Sequence, residues 1–168
     1  MFKKILIVLV VLIAAFIAVG LFLPKDYAVT RSAVIEAKPA TIHALVGDLE
    51  RWPEWTPWKE ADPSVEVTLG EKTTGVGASQ TWTSKDGRGS LTFTQWDPKT
   101  GIAYDMAFEQ YTSSATMRYE PQGEATKVTW RMEGRMDGVV GGYFVLLMDG
   151  VVGDMFEKGL ARLKAKAE

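Results

Sequence analysis

The residue types that catalysis would need are few and scattered. His43 is the only histidine, and there is no cysteine. A general base needs a pocket and a partner within hydrogen-bond reach. His43 falls beside Ile42, Leu45 and Val46 on a short helical stretch, where a lone surface histidine is expected. With one histidine and no thiolate, a zinc site would need several carboxylates, and no spacing suggests one. No Gly-rich loop follows a strand and opens a helix, so no phosphate cradle is indicated. No catalytic residue, metal site or cofactor is therefore assigned. What the chain offers instead is large apolar side chains, with a few polar ones, at alternating positions. They are Gln80 and Trp82; Leu91, Phe93 and Gln95; Tyr104, Met106 and Phe108; Met117 and Tyr119; and Val128, Trp130 and Met132. Successive strand residues point to opposite faces, so each set shares one face. Thr81, Thr92, Thr94, Asp105, Arg118 and Arg131 face the other way, and Glu109 also points outward.

A C-terminal helix adds Phe144, Leu147, Met148, Val151 and Met155. Methionine and aromatic groups line adaptable apolar pockets, although most such residues must also serve as core. Gln80, Gln95, Tyr104 and Tyr119 would orient a bound molecule. Buried without partners, each would cost about 1–3 kcal/mol. The candidate ligand-binding set is Gln80, Trp82, Phe93, Tyr104, Met106, Met117, Tyr119, Trp130, Met132, Phe144, Met148, Val151 and Met155.

The elements that position this set follow from periodicity. Tyr27–Ile35 is β-rich. Pro39 suits a first helical turn, and Ile42, Leu45, Val46 and Leu49 follow at helical spacing, predicting a short helix over 40–50. Residues 51–63 hold three Trp and three Pro and form a second helical piece or compact loop. The period then changes to two. About six strands follow one another, separated by turns at Gly75-Val76-Gly77, Lys85-Asp86-Gly87, Asp97-Pro98-Lys99-Thr100-Gly101 and Pro121-Gln122-Gly123. Hairpin-linked strands predict an antiparallel meander. Residues 142–164 form the only helix long enough to cover its apolar face. Gly138, Gly141 and Gly142 read as a flexible entry to that helix. Gly150, Gly153 and Gly159 mark places where its backbone approaches the sheet.

Ile5 to Leu23 is an unbroken run of 19 apolar residues, preceded by Lys3 and Lys4 and stopped by Pro24, Lys25 and Asp26. Such a run spans roughly 28 Å as a helix, close to the thickness of a bilayer's hydrocarbon core. The competing reading is a cleaved signal peptide, for which Ala18-Val19-Gly20 is a passable site. Leu21-Phe22-Leu23 continue the run past it, which favours an uncleaved anchor. The division is thus 1–24 anchor and 25–168 domain. The lysine pair and the short N-terminal tail favour a single-pass protein whose soluble domain is extracytoplasmic. The chain carries 19 basic and 21 acidic residues. Setting aside Lys3 and Lys4, the domain is acidic with no basic cluster, which argues against a nucleic-acid partner.

The element order, with several local motifs, resembles the START-like (SRPBCC) superfamily, in particular its polyketide cyclase/dehydrase-like branch. The residues carrying the resemblance are Ile35-Glu36-Ala37-Lys38-Pro39, Asp48, Trp52-Pro53-Glu54-Trp55-Thr56-Pro57-Trp58 and Asp62-Pro63. Gly75-Val76-Gly77 with Trp82, Gly89 before Leu91, and the ending 156–164 complete it. The resemblance implies an α+β helix-grip fold: a curved antiparallel sheet of about seven strands wrapped around a long C-terminal helix. It also implies a cavity that holds a hydrophobic molecule. The expected function is membrane-tethered binding of a hydrophobic small molecule or lipid. The alternatives are a cyclase- or dehydratase-type enzyme and a protein-interaction module with a filled core. The Trp52, Trp55 and Trp58 triplet reads as a structural pin, a ligand portal or an interfacial belt.

Overall fold

The computed structural model describes residues 2–168. Helix α1 (Phe2–Phe22) is long and apolar enough to cross a membrane. It leads into β1 (Asp26–Ile35), then α2 (Pro39–Val46), a 3₁₀ segment (Leu49–Glu54) and α3 (Trp58–Ala61). Six strands follow: β2 (Glu66–Leu69), β3 (Ser79–Ser84), β4 (Gly87–Asp97), β5 (Gly101–Phe108), β6 (Tyr111–Gln122) and β7 (Ala125–Arg135). The chain finishes on α4 (Gly141–Ala167). The seven strands form one sheet in the order β1-β7-β6-β5-β4-β3-β2, with every pairing antiparallel. This is the expected helix-grip architecture.

Three of the four turns are where the residue types predict them, whereas Pro121 and Gln122 stay in β6 and the fourth turn falls on Gly123-Glu124. At the β4–β5 turn, Asp97 Oδ1 accepts the N–H groups of Lys99 at 2.7 Å and Thr100 at 3.3 Å. Gly101 follows with φ +116°, and a Cβ there would strike the Met117 carbonyl. Only glycine meets both demands.

Two local features shift side chains from their expected faces. Phe93 pairs with Tyr104 but Gln95 pairs with Ala103, so Thr94 is an extra residue in β4. This bulge reverses the alternation beyond it. Gln95 is consequently exposed, and Trp96 turns inward, donating its indole N–H to the Gly47 carbonyl at 2.8 Å. The second feature is the rotation of α4. Gly153, Phe156, Leu160 and Leu163 face the sheet. At 100° per residue, Leu147 lies nine residues before Phe156 and so half a turn out of phase. Phe144, Leu147 and Val151 therefore point away from the sheet, against expectation, and Met148 and Val152 point toward it.

α4 lies along β1. Gly153 provides a notch for the Arg31 guanidinium, which its Cβ would otherwise meet. Arg31 pairs there with Asp149 one turn before (3.0 Å) and Glu157 one turn after (2.6 Å). Gly159 lets α4 approach the Trp130 ring, whereas Gly150 faces open space. Two of the three glycines thus mark close approaches. Gly141 and Gly142 are also buried, against the Met136 carbonyl and the Leu23 side chain respectively. They are packing positions rather than a flexible entry.

Candidate functional site

The concave face of the sheet divides into two halves. The half away from α1 is filled by aromatic side chains. Trp52 and Trp55 are fully buried, their indole N–H groups donated to the Val46 and Leu45 carbonyls at 2.9 and 3.3 Å. These bonds satisfy the polar edge of each indole and leave its apolar surface to the interior. Trp55 meets Trp52 and Trp130 edge-on, both at 5.4 Å between ring centroids, and Trp52 meets Tyr104 at 5.6 Å. Trp130 stacks on Phe156 of α4 at 4.0 Å and donates its N–H to the Tyr104 hydroxyl at 2.9 Å. Burial raises the Tyr104 pKa well above its usual 10, so this hydroxyl stays neutral. Trp52 and Trp55 act as the structural pin. Their burial leaves neither ring any surface to offer outside the domain.

The half nearer α1 is shallower. Pairing places Gln80, Leu91, Met106, Ser113, Gly134 and Tyr27 in one inward row that ends beside α1. The middle of that row has only a serine and a glycine, with the Tyr27 ring laid across the glycine and its hydroxyl bonded to Ser113. Met106 and, on β3, Trp82 are half-buried, as are Met148 and Met155 on α4. Of the sequence-predicted set, Phe93, Tyr104, Met117, Tyr119, Trp130 and Met132 are buried in the core, and so is Gln80. Phe144 and Val151 are exposed on the far side of α4. The set is thus brought to one concave face, except for those two.

His43 is not a surface residue. It is buried on α2, edge-on to Trp96 at 4.5 Å, with Nδ1 3.4 Å from the Tyr119 hydroxyl and Nε2 without a partner. Burial lowers its pKa from 6.5, opposed by the nearby charge of Asp97, and burial raises that of Tyr119. Both groups therefore stay neutral around neutral pH. The unfolded chain binds a proton at His43 that the folded chain resists. Stability should thus decline as pH falls below about 6.5 and level off once the folded histidine is protonated too. Denaturant titrations between pH 7 and 5 should show this slope in the native sequence and a flatter one in His43→Gln. Equal slopes would contradict it. Paired carboxylates such as Glu54 and Asp149, whose pKa values are lowered by Arg51 and Arg31, act only at lower pH.

Two surface clefts are present, and the larger reaches Tyr27, Met106, Ser113 and Gly134 of the inward row. The larger, about 910 Å³, is lined mainly by outward-facing groups at the α1 end of the sheet, among them Ala28, Thr92, Asp105, Ser114 and Glu133. The smaller, about 290 Å³, runs along β2–β4 past Thr68, Thr81 and Thr83. Met106 touches the first and Trp82 the second, and no other residue of the predicted set lines either. No cluster of three or more potential metal ligands occurs among the described residues.

A seven-stranded antiparallel sheet gripping one long helix, with an apolar concave face, defines a helix-grip protein. Residues 27–168 match the family described as polyketide cyclase / dehydrase and lipid transport, and the chain belongs to that family. No curated protein matches it. Solved structures share the fold at low identity. A hypothetical protein from Helicobacter pylori superposes with TM-score 0.68 at 9% identity, over 86% of this chain and 89% of that one. A protein from Thermobifida fusca gives 0.67 at 20% identity, over 83% and 92%. A point mutant of norcoclaurine synthase from Thalictrum flavum, solved with a transition-state analogue, gives 0.63 at 11%, over 86% and 95%.

Proposed function

We propose that this chain is a membrane-tethered binding protein for a hydrophobic small molecule or lipid, held at the anchor-side half of the grip. The observation that carries the reading is the row Met106–Ser113–Gly134. There the sheet itself contributes only small residues, the Tyr27 ring lies across Gly134 with its hydroxyl bonded to Ser113, and Met106 and, two strands out, Trp82 are left only partly buried. Large apolar groups left partly exposed, with one polar tip among them, are what a binding site for an apolar molecule needs. The family description, which includes lipid transport, supports the same class of ligand. Residues 1–24 serve as the tether, and 25–168 as the binding domain.

The filled aromatic half favours a second reading, in which the domain is an interaction module and the core binds nothing. Saturation binding of an anthroyloxy-labelled fatty acid to the detergent-solubilised full chain separates the two. Energy transfer from the tryptophans to the probe should saturate. Ser113→Trp, which fills the space beside the Tyr27 ring, should weaken binding by on the order of tenfold or more, at an overpacking cost of about 1–3 kcal/mol. Absence of saturable transfer in the native sequence would leave the interaction-module reading standing.

A further inference from the structure

We propose that the first three turns of α4 lie in the membrane beside α1, so that the domain is seated in the lipid surface rather than hanging from a single helix. The proposal rests on the reading of α1 as a membrane anchor. Val140, Phe144, Leu147 and Val151 follow one another at spacings of four, three and four, which makes one stripe along the helix. They are 50%, 48%, 58% and 54% exposed, and the stripe faces away from the sheet. Leu146 beside it is 59% exposed. The opposite side, with Met148 and Val152, is already used against the domain. This part of α4 is therefore apolar on both faces, and only one face has a protein partner.

Charge points the same way. No ionisable group other than the Tyr143 phenol occurs between Asp137 and Asp149. The Asp149 carboxylate is turned back to Arg31.

What covers the stripe follows from its neighbour. Tyr143 stacks on Phe16 of α1 at 4.4 Å, with the rings within 2° of parallel, and donates its hydroxyl to the Phe16 carbonyl at 2.8 Å. Gly20, the buried residue of α1, admits Val139 and Tyr143 at that crossing. Lys25 Nζ bridges the Gly20 and Gly138 carbonyls at 2.6 and 2.7 Å. The start of α4 is thus fastened to the last two turns of α1. Phe16 lies six residues before the end of that helix, roughly 9 Å along its axis. An anchor that crosses the bilayer carries Tyr143 and the adjoining stripe to the depth of acyl chains and headgroups. Interfacial helices bury their apolar faces to about 5–10 Å. The stripe is continuous with the lipid-facing surface of α1, where Leu21 and Phe22 are 63% and 91% exposed.

The absence of native cysteine makes the test direct. Full-length variants Leu147→Cys and Val151→Cys carry one spin label each in vesicles of phosphatidylcholine and phosphatidylglycerol at about 3:1. Leu12→Cys in α1 and Lys158→Cys in the second half of α4 are the references. Accessibility to dissolved oxygen relative to a water-soluble nickel chelate reports depth. The labels at 147 and 151 should resemble the label at 12, with a ratio on the order of tenfold above that at 158. High nickel access at 147 and 151, with position 12 embedded, would overturn the inference and leave the anchor intact. High nickel access at position 12 as well would overturn both. Shielding of 147 and 151 from both reagents would mean that protein, such as a second copy, covers the stripe, and would also overturn it.

Discussion

Trp130→Ala should cost the domain about 3–5 kcal/mol, the usual range for deleting a fully buried tryptophan. Its ring joins sheet, cap and helix: it stacks on Phe156, meets Trp55 and Trp58 edge-on at 5.4 and 6.0 Å, and lies against the α4 backbone at Gly159. Its N–H is the donor to the buried Tyr104 hydroxyl. Alanine would leave a void among rigid rings and strip that hydroxyl of its partner. Domains of this size are stable by roughly 5–15 kcal/mol, so the variant should be near the edge of folding. Urea unfolding of the full chain in detergent, followed by circular dichroism, measures the cost. Trp130→Phe keeps a stacked ring and loses only the hydrogen bond and the outer ring, so its cost should be well below that of alanine. A loss of less than about 1 kcal/mol in Trp130→Ala would mean that the aromatic column does not hold α4 to the sheet.

The full chain should remain in the membrane pellet through an alkaline carbonate wash, whereas a chain beginning at Lys25 should appear in the supernatant. Leu, Ile, Phe and Val each favour insertion by about 0.3–0.6 kcal/mol at mid-membrane, and α1 has an uninterrupted series of them. The contacts at the end of α1 bear on processing as well. Cleavage after Gly20 would remove the carbonyl that holds Lys25 and the Phe16 ring under Tyr143. A mature N-terminus near Leu21 would refute the tether. Release of the full chain by carbonate would refute it too.

The fold was legible because its strands alternate cleanly. The inward sets on β3, β5, β6 and β7 follow from period two alone, and the turns carry residues with one plausible conformation, such as Asp97 through Gly101. Arg31 sits at an inward position of β1 by the same alternation, but its partners Asp149 and Glu157 are more than a hundred residues away, so no local pattern reveals the clamp. Gln95 was misplaced because a bulge costs one residue of phase and leaves no mark in composition. The rotation of α4 was hidden for a different reason. Its first half is apolar on every side, so periodicity carries no phase there, and the facing residues are set by Phe156 and Leu163 further along. His43 has the pattern of a surface histidine on a short helix. Its burial comes from Trp96, which the same bulge turns inward. The candidate site was therefore legible as a face and illegible as a site. The aromatic filling of its far half depends on how the 3₁₀ segment closes over the sheet.

The central claim is that an apolar molecule occupies the anchor-side half of the grip. Native mass spectrometry of the full chain, extracted from its own membranes in mild detergent, tests this most directly. The account predicts a protein ion with a discrete apolar adduct in near-stoichiometric amount, strongly reduced in Ser113→Trp at equal folding. A bare protein mass, or an adduct undiminished by Ser113→Trp, would contradict it.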